Sequence, residues 1–291
     1  MPVGRQIRVI GLLVLSVMAG LLIWQMYRAN TLNTSSTSSP YHLSLQSRVS
    51  YISHMPVALS FTIRDQSNRV FKNFNTSNKY NLMLTIIRSN RTNFQHIHPI
   101  YNEKTGIFTI ADFQLPTSGI YRLFAQFTAA NTPKNHDGFN SPSTVFTDIS
   151  VSGDDTVQPR QEASDALTSS ADGFSTSIFS ASNNIDTPES PPGFTAGRLN
   201  ILAINITKNG IPFKNLKGYK GSFGRIFAFS PSCELISANS EAEVGDHQTG
   251  TLKFKLTFPT AGRYVLFMQT QANNQVTTFS YTIIVKKELT S

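Results

Sequence analysis

Apolar and polar residues alternate along most of the chain beyond residue 40. Between Leu252 and Phe258 every second residue is large and apolar, and the same is true between Phe279 and Val285. Successive side chains of a strand point to opposite faces of a sheet, so this pattern predicts strands with one face in a core. No segment after Tyr27 carries an apolar stripe at the helical spacing of 3.6 residues. We therefore predict an all-β protein.

The apolar phase changes once within the first half of the chain. Phe108 and Ile110 are out of phase with Phe113 and Leu115. A single extra residue in one strand of an antiparallel pair produces such a change. The sequence therefore predicts a β-bulge near Ala111-Asp112.

The chain contains two copies of one pattern. Residues 116–126 read Pro-Thr-Ser-Gly-Ile-Tyr-Arg-Leu-Phe-Ala-Gln, and residues 259–269 read Pro-Thr-Ala-Gly-Arg-Tyr-Val-Leu-Phe-Met-Gln, at an offset of 143. A second match, between residues 71–74 and 213–216, has an offset of 142. Two matches at nearly one offset indicate a tandem duplication.

The repeated unit has the form of a strand-to-strand corner. Gly119 and Gly262 permit a positive φ, and the hydroxyls of Tyr121 and Tyr264 can bond back to the backbone, as in the tyrosine corner of immunoglobulin-like sandwiches. We predict two tandem immunoglobulin-like or cupredoxin-like β-sandwiches.

The N-terminal region has the pattern of a membrane anchor. Residues 9–27 carry no charge and are long enough, as a helix, to cross a bilayer. Arg5 and Arg8 precede this segment and Arg28 alone follows it, which places residues 1–8 in the cytoplasm by the positive-inside rule. We predict a single-pass protein of the cell membrane with extracytoplasmic domains. The alternative is a cleaved signal peptide and a secreted chain.

Two polar segments delimit the predicted domains. Residues 28–40, rich in Ser, Thr and Asn, are expected to form a flexible stalk, and residues 152–173, which include five carboxylates, an acidic linker. The first sandwich is then expected at 41–151 and the second at 174–287, with a tail at 288–291.

Composition narrows the class of function. The net charge of +8 is spread along the chain and no Lys/Arg block alternates with aromatic residues, so we expect no nucleic-acid binding. Cys233 is the only cysteine, which excludes an intrachain disulfide, and it has no neighbouring histidine to activate a catalytic thiol. Motifs of serine hydrolases, phosphate-binding loops and zinc proteases are absent. We expect a protein that is not an enzyme.

One local motif has the chemistry of a metal site. His96 and His98 flank Ile97 just before Pro99. Residues two apart on a strand face the same way, so both imidazoles can converge on one metal ion. His-x-His alone is a weak signal, and two hydrogen-bonded histidines near a strand end that Pro99 terminates are the simpler explanation of the motif.

Residues 43–286 resemble a family of bacterial, especially actinobacterial, secreted or membrane-anchored proteins with paired β-sandwich domains. The resemblance rests on three motifs in order, at residues 83–90, 94–99 and 116–127. Some members of that family are associated with heavy-metal or copper handling. The resemblance therefore implies paired sandwiches and a metal site.

The departures from the family pattern assign that site to the first domain. Met83 replaces a family histidine and Gln126 a family aspartate, whereas His96 and His98 are retained. A thioether with two imidazoles suits copper better than calcium or magnesium. The resemblance thus implies a copper-type site of His96, His98 and Met83, with an ordinary core methionine as the alternative for Met83.

The second domain is expected to lack an equivalent site. Alignment with the family puts Arg225, Ala238 and Ser240 where the family has histidines. Elsewhere, His54-Met55-Pro56 would supply a further copper ligand if it folded near His96, or would form a surface loop. We therefore expect a non-catalytic, membrane-anchored binding protein whose partner is an envelope protein or polymer. The alternative is an envelope metal-binding protein of the copper type.

Overall fold

The computed structural model describes residues 39–46, 50–75, 81–132, 142–154, 166–181, 193–218, 222–240, 249–272 and 274–288. These residues form two β-sandwiches in tandem, which confirms the predicted fold class. No helix in these ranges is long and apolar enough to cross a membrane. The predicted cytoplasmic segment, the anchor at residues 9–27 and nearly all of the stalk lie outside the described residues.

The first sandwich contains nine strands. They are β1 (Tyr41–Leu45), β2 (Tyr51–Ile52), β3 (Val57–Asp65), β4 (Met83–Arg88), β5 (Gln95–Ile97), β6 (Ile100–Asn102), β7 (Ile107–Phe113), β8 (Gly119–Phe127) and β9 (Ser143–Ser152). One sheet has the order β1-β3-β7-β6 and the other β2-β9-β8-β4-β5. All pairs are antiparallel except β2 with β9.

The second sandwich contains ten strands. They are β10 (Thr168–Ala171), β11 (Phe174–Ser180), β12 (Phe194–Thr195), β13 (Leu199–Lys208), β14 (Ile211–Pro212), β15 (Gly224–Phe229), β16 (Leu235–Asn239), β17 (Thr251–Thr257), β18 (Gly262–Ala272) and β19 (Gln275–Lys286). One sheet has the order β10-β11-β13-β14, with β17 also paired to β13, and the other β12-β19-β18-β15-β16. The parallel pair recurs as β12 with β19.

The alternating residues fill one core in each sandwich. Phe61, Phe108 and Leu123 are fully buried in the first core, and Phe254 and Tyr281 are buried in the second. Burying a large apolar side chain contributes about 1.5–3 kcal/mol, so these cores supply the main stabilisation of a chain that has no disulfide. The predicted bulge is confirmed, because the register of β3 against β7 shifts between Val57 and Leu59, opposite Ala111-Asp112.

The tyrosine corners also form in both domains. Gly119 and Gly262 have φ of 120° and 145°. The Tyr264 hydroxyl donates to the Thr260 carbonyl at 2.9 Å, as predicted. The Tyr121 hydroxyl instead bonds the Thr117 side chain at 2.7 Å. Both rings are fully buried, so each corner joins a sheet end to its core.

The predicted linker at 152–173 needs correction. Ala166 bridges to Thr282, and β10 pairs with β11 from Thr168 onward, so the second sandwich already includes residue 166. The prediction failed because β10 consists of small, mostly polar residues. They join the sheet edge through backbone hydrogen bonds and provide no apolar pattern.

Candidate functional site

The two sandwiches pack against each other through the outer faces of the sheets β2-β9-β8-β4-β5 and β12-β19-β18-β15-β16. Odd-numbered residues of β4 and even-numbered residues of β8 point away from the first core, among them Ile87 and Phe124. They are buried against Phe227, Phe229 and other residues of the second domain. These strands are therefore buried on both faces.

Phe94, in the loop before β5, lies at the centre of this interface. Its ring stacks on Phe267 at 4.5 Å between centroids with an interplanar angle of 7°, and it contacts Phe227 at 5.0 Å. Phe124 contacts Phe229 at 6.0 Å. Aromatic pairs of this kind contribute about 0.5–1.5 kcal/mol beyond the area that they bury. We call these aromatic rings the interface cluster.

Polar contacts surround the interface cluster. Arg91 Nη1 donates to the Arg263 carbonyl at 2.7 Å, and Arg122 Nη1 donates to the Cys233 carbonyl at 3.4 Å. Arg122 also forms an ion pair with Asp148 at 2.8 Å, which raises the pKa of its guanidinium. The charge of Arg122 is thus compensated within the first domain.

The predicted metal ligands lie on this same face. The rings of His96 and His98 are 4.9 Å apart between centroids, at 71° to one another, so the two imidazoles are neighbours. If the register of β4 with β5 is continued by one residue, Met83 stands opposite His98. The structure therefore brings the three residues to one corner of the interface.

His96 is held by the second domain. Its Nδ1 lies 2.8 Å from Gln269 Oε1, and Gln269 Nε2 donates to Thr278 Oγ1 at 3.1 Å. With the amide in this orientation Nδ1–H is the donor, which places the lone pair of the neutral ring on Nε2. Metal-binding histidines are commonly oriented by such a bond to the opposite ring nitrogen.

Met83 has a neighbour that does not favour a metal cation. The Arg225 guanidinium contacts the Met83 sulfur, and Arg225 Nε donates to Asn239 Oδ1 at 2.8 Å. Burial lowers the pKa of Arg225 to about 10, because desolvation disfavours the charged form. Arg225 therefore remains a cation at neutral pH beside the proposed soft ligand.

Equivalent positions of the two domains make reciprocal contacts here. Met83 pairs with Gln126 across β4 and β8, and Arg225 pairs with Gln269 across β15 and β18, at offsets of 142 and 143. Gln126 Nε2 donates to Ser237 Oγ at 3.0 Å, which matches the contact between Gln269 and His96.

The same register corrects one sequence alignment. Thr85 and Phe227 are equivalent, and they pair with His96 and Ser237, respectively. Ser237 and Asn239 thus occupy the positions of His96 and His98, one residue before the predicted Ala238 and Ser240. Ala238 instead faces the second core. Neither Ser237 nor Asn239 is a histidine. The second domain therefore lacks this pair of histidines at the equivalent positions, as it does at Ala238 and Ser240.

The other candidate residues lie away from this arrangement or are inert. His54 and Met55 are exposed in the turn after β2, in agreement with the surface-loop alternative. Cys233 is buried at the interface, and burial raises the pKa of its thiol. Among the described residues, no group of three or more His, Cys, Asp or Glu side chains is placed to hold a metal ion.

Arg225 and Gln269 are the site residues whose role the sequence did not reveal. Gln269 is shared with Gln126 in the repeated motif, which was the one available signal. Arg225 was visible only as the replacement of a family histidine. The partners of both residues in the first domain are more than 140 positions away in sequence.

The fold defines a protein of two immunoglobulin-like β-sandwiches. Residues 36–137 and 187–287 both match the family described as Domain of unknown function (DUF8832), so the chain belongs to this family and carries its domain twice. This finding confirms the predicted duplication. The relation to actinobacterial and heavy-metal-associated proteins stays a prediction. No curated protein matches the chain.

Solved structures with a similar architecture include bacterial and animal proteins. The soluble domain of PmoD from Methylocystis sp. ATCC 49242 (Rockwell) is 13% identical over 41% of this chain and 97% of its own, with a TM-score of 0.29. The D00-D0 domain of intimin is 11% identical over 84% and 98%, with a TM-score of 0.20. A marsupial T cell receptor is 12% identical over 86% and 75%, with a TM-score of 0.22.

Proposed function

We propose that this chain is a non-catalytic, membrane-anchored binding protein whose two sandwiches act outside the cytoplasm. The observation that carries the proposal is an open groove of about 630 Å³ on the outer face of the β1-β3-β7-β6 sheet. Its polar lining consists of Gln46, Ser60, Asn102, Thr105 and Thr109. Val57, Ala58 and Ile107 add apolar surface between these uncharged hydrogen-bonding groups. A groove of this mixed lining suits an extended ligand with both polar and apolar groups, such as an envelope polymer or protein segment.

The corresponding face of the second domain has a different chemistry. The register of β7 and β17 places Lys253 at the position of Thr109, so a flexible cation replaces a small hydroxyl there. The sheets β2-β9-β8-β4-β5 and β12-β19-β18-β15-β16 cover each other at the interface cluster. The first domain is therefore the one that we propose to bind the partner.

Labelling of a cysteine introduced at Thr109 tests two parts of the proposal together: that the domains lie outside the cytoplasm, and that a ligand occupies the groove. In intact cells a membrane-impermeant maleimide should label Thr109→Cys roughly tenfold more slowly than in the purified full-length protein, because a bound ligand leaves about a tenth of the grooves open. Ile211→Cys, at a position that is 69% exposed in the second domain, is the matched control and should react equally in both settings. Cys233 is buried and should remain unlabelled.

Two results would contradict the proposal. Labelling of both variants only after cell lysis would place the domains in the cytoplasm. Equal labelling of Thr109→Cys in cells and in purified protein would leave the groove without an occupant.

The second candidate function is binding of a copper-type metal ion by the first domain. It is favoured by the 4.9 Å separation of the His96 and His98 rings and by the bond from His96 Nδ1 to Gln269. His96, His98 and Met83 would hold the ion, and the metal would supply a soft Lewis acid in an interdomain cleft. The Arg225 guanidinium opposes a cation at Met83, so the two imidazoles are the essential ligands of this candidate.

Titration of the full-length protein with Cu(I) and Cu(II) tests this second candidate. We expect stoichiometric uptake at micromolar metal, and its loss when His96→Ala and His98→Ala are combined. His42→Ala plus His54→Ala is the matched control and should bind as the original protein does. Absence of uptake at micromolar metal would exclude this function without affecting the groove.

A further inference from the structure

Arg225 is a largely buried cation, and the described residues that accept its hydrogen bonds are neutral. Its two hydrogen bonds go to the Asn239 amide oxygen and the Met83 sulfur, and these use two of the five N–H groups of the guanidinium. In the described part of the chain, ion pairs are formed by Arg69 with Asp65 and by Arg122 with Asp148. No described carboxylate reaches Arg225.

A cavity lies beside this guanidinium. It has a volume of about 30 Å³, and its polar lining includes His96, Ser222, Arg225, Asn239 and Gln269. A space of this size holds one particle as large as a water molecule, provided that polar groups surround it. The cavity combines that size with a fixed positive charge.

The positive charge of Arg225 determines whether a water molecule or an anion binds more favourably in the cavity. A buried ion is strongly disfavoured unless an opposite charge or a full set of hydrogen bonds replaces its hydration. The amide and thioether that contact Arg225 supply partial charges only, so the described residues that line the cavity leave the positive charge of Arg225 uncompensated. A small anion in the cavity would neutralise this charge, whereas a water molecule would not.

We propose that a small monovalent anion of the size of chloride binds in this cavity on Arg225 and stabilises the packing of the two domains. The volume matches a halide and is smaller than sulfate or a phosphate ester. The ion would lie between residues from both sandwiches, since His96 belongs to the first and Arg225 to the second. Its binding therefore favours the closed interface over separated domains.

The repeat itself provides the variant for a test. Met83 occupies the equivalent position in the first domain, so Arg225→Met introduces a side chain that this fold already accommodates there. The melting temperature of the full-length protein should rise by roughly 3–5 °C between 10 mM and 500 mM chloride at constant ionic strength, with gluconate as the replacement anion. Arg225→Met should remove this rise. Arg69→Met, at a side chain that is 79% exposed, is the matched control and should keep it.

A direct probe is the line width of the chloride-35 nuclear magnetic resonance. We expect excess broadening with the original protein and with Arg69→Met, and none with Arg225→Met. Equal stabilisation by gluconate and chloride would overturn the proposal, as would an unchanged chloride effect in Arg225→Met. Stabilisation by sulfate without chloride would overturn the assigned size. If Arg225→Met did not fold, absence of broadening with the original protein would still refute the site.

Discussion

Replacing Phe267 with alanine is expected to weaken the packing of the two domains by about 3–5 kcal/mol. The ring of Phe267 stacks on Phe94 and contacts Phe229 at 6.0 Å, so its removal leaves a cavity at the centre of the interface cluster. The cores of the two sandwiches are separate sets of residues and stay intact. We therefore expect differential scanning calorimetry to show one unfolding transition for the original protein and two for Phe267→Ala.

Phe146→Ala is the matched control for this prediction. Phe146 also lies on an outer sheet face, but its side chain is 54% exposed, and its ring contacts are with Arg122 and, at 5.8 Å between centroids, Phe124, both in the first domain. Its removal should change stability by less than about 1 kcal/mol. If Phe267→Ala cost no more than Phe146→Ala, the outer faces would not stabilise each other.

Gly250→Ala is expected to destabilise the second domain by about 3 kcal/mol. Gly250 has a φ of +78°, where any other residue is strained. A Cβ atom there would lie 2.9 Å from the Ile206 carbonyl oxygen and 3.0 Å from the Phe213 nitrogen, which are backbone atoms of the sheet edge. Neither can move without loss of the hydrogen bonds that join these residues.

Gly106 offers a matched comparison, because it occupies the same place before β7 as Gly250 does before β17. Its φ is +76°, but an added Cβ would meet only side-chain atoms, of Val70 at 2.5 Å and Lys72 at 3.1 Å. Those side chains can rotate away, so Gly106→Ala should cost about 1–2 kcal/mol, mainly backbone strain. Urea unfolding of both variants gives the two costs. A larger cost at Gly106 than at Gly250 would contradict this explanation.

The features that were predicted correctly from the sequence depend on residues that are close to one another along the chain. Leu252, Phe254 and Leu256 show which side of β17 is buried, because the two sides of that strand have different chemistry. The bulge opposite Ala58 is visible in the sequence as a change in the phase of the apolar residues. Each corner is visible as a glycine with a tyrosine two positions later. Each signal lies within a few residues of the feature that it predicts.

The features that escaped prediction depend on packing between distant residues. Residues 226–229 read Ile-Phe-Ala-Phe, which is apolar on both faces of the strand. Such a run predicts burial on both sides without indicating what covers the second side. The sequence placed His96 and His98 on one face correctly, yet the groups that fix their surroundings, Gln269 and Arg225, come from the other domain.

The contact between Met83 and Arg225 has a consequence for how this chain could evolve. In a symmetric homodimer of single domains, one residue at this position would face its own copy, and two arginines there would place like charges together. Fusion of the domains removes that constraint and keeps the partners at a high effective concentration. Each half can then change alone, so that one carries a thioether and an imidazole where the other carries a guanidinium and a hydroxyl. The tandem chain can thus hold an asymmetric charged site that a symmetric homodimer of single domains would exclude.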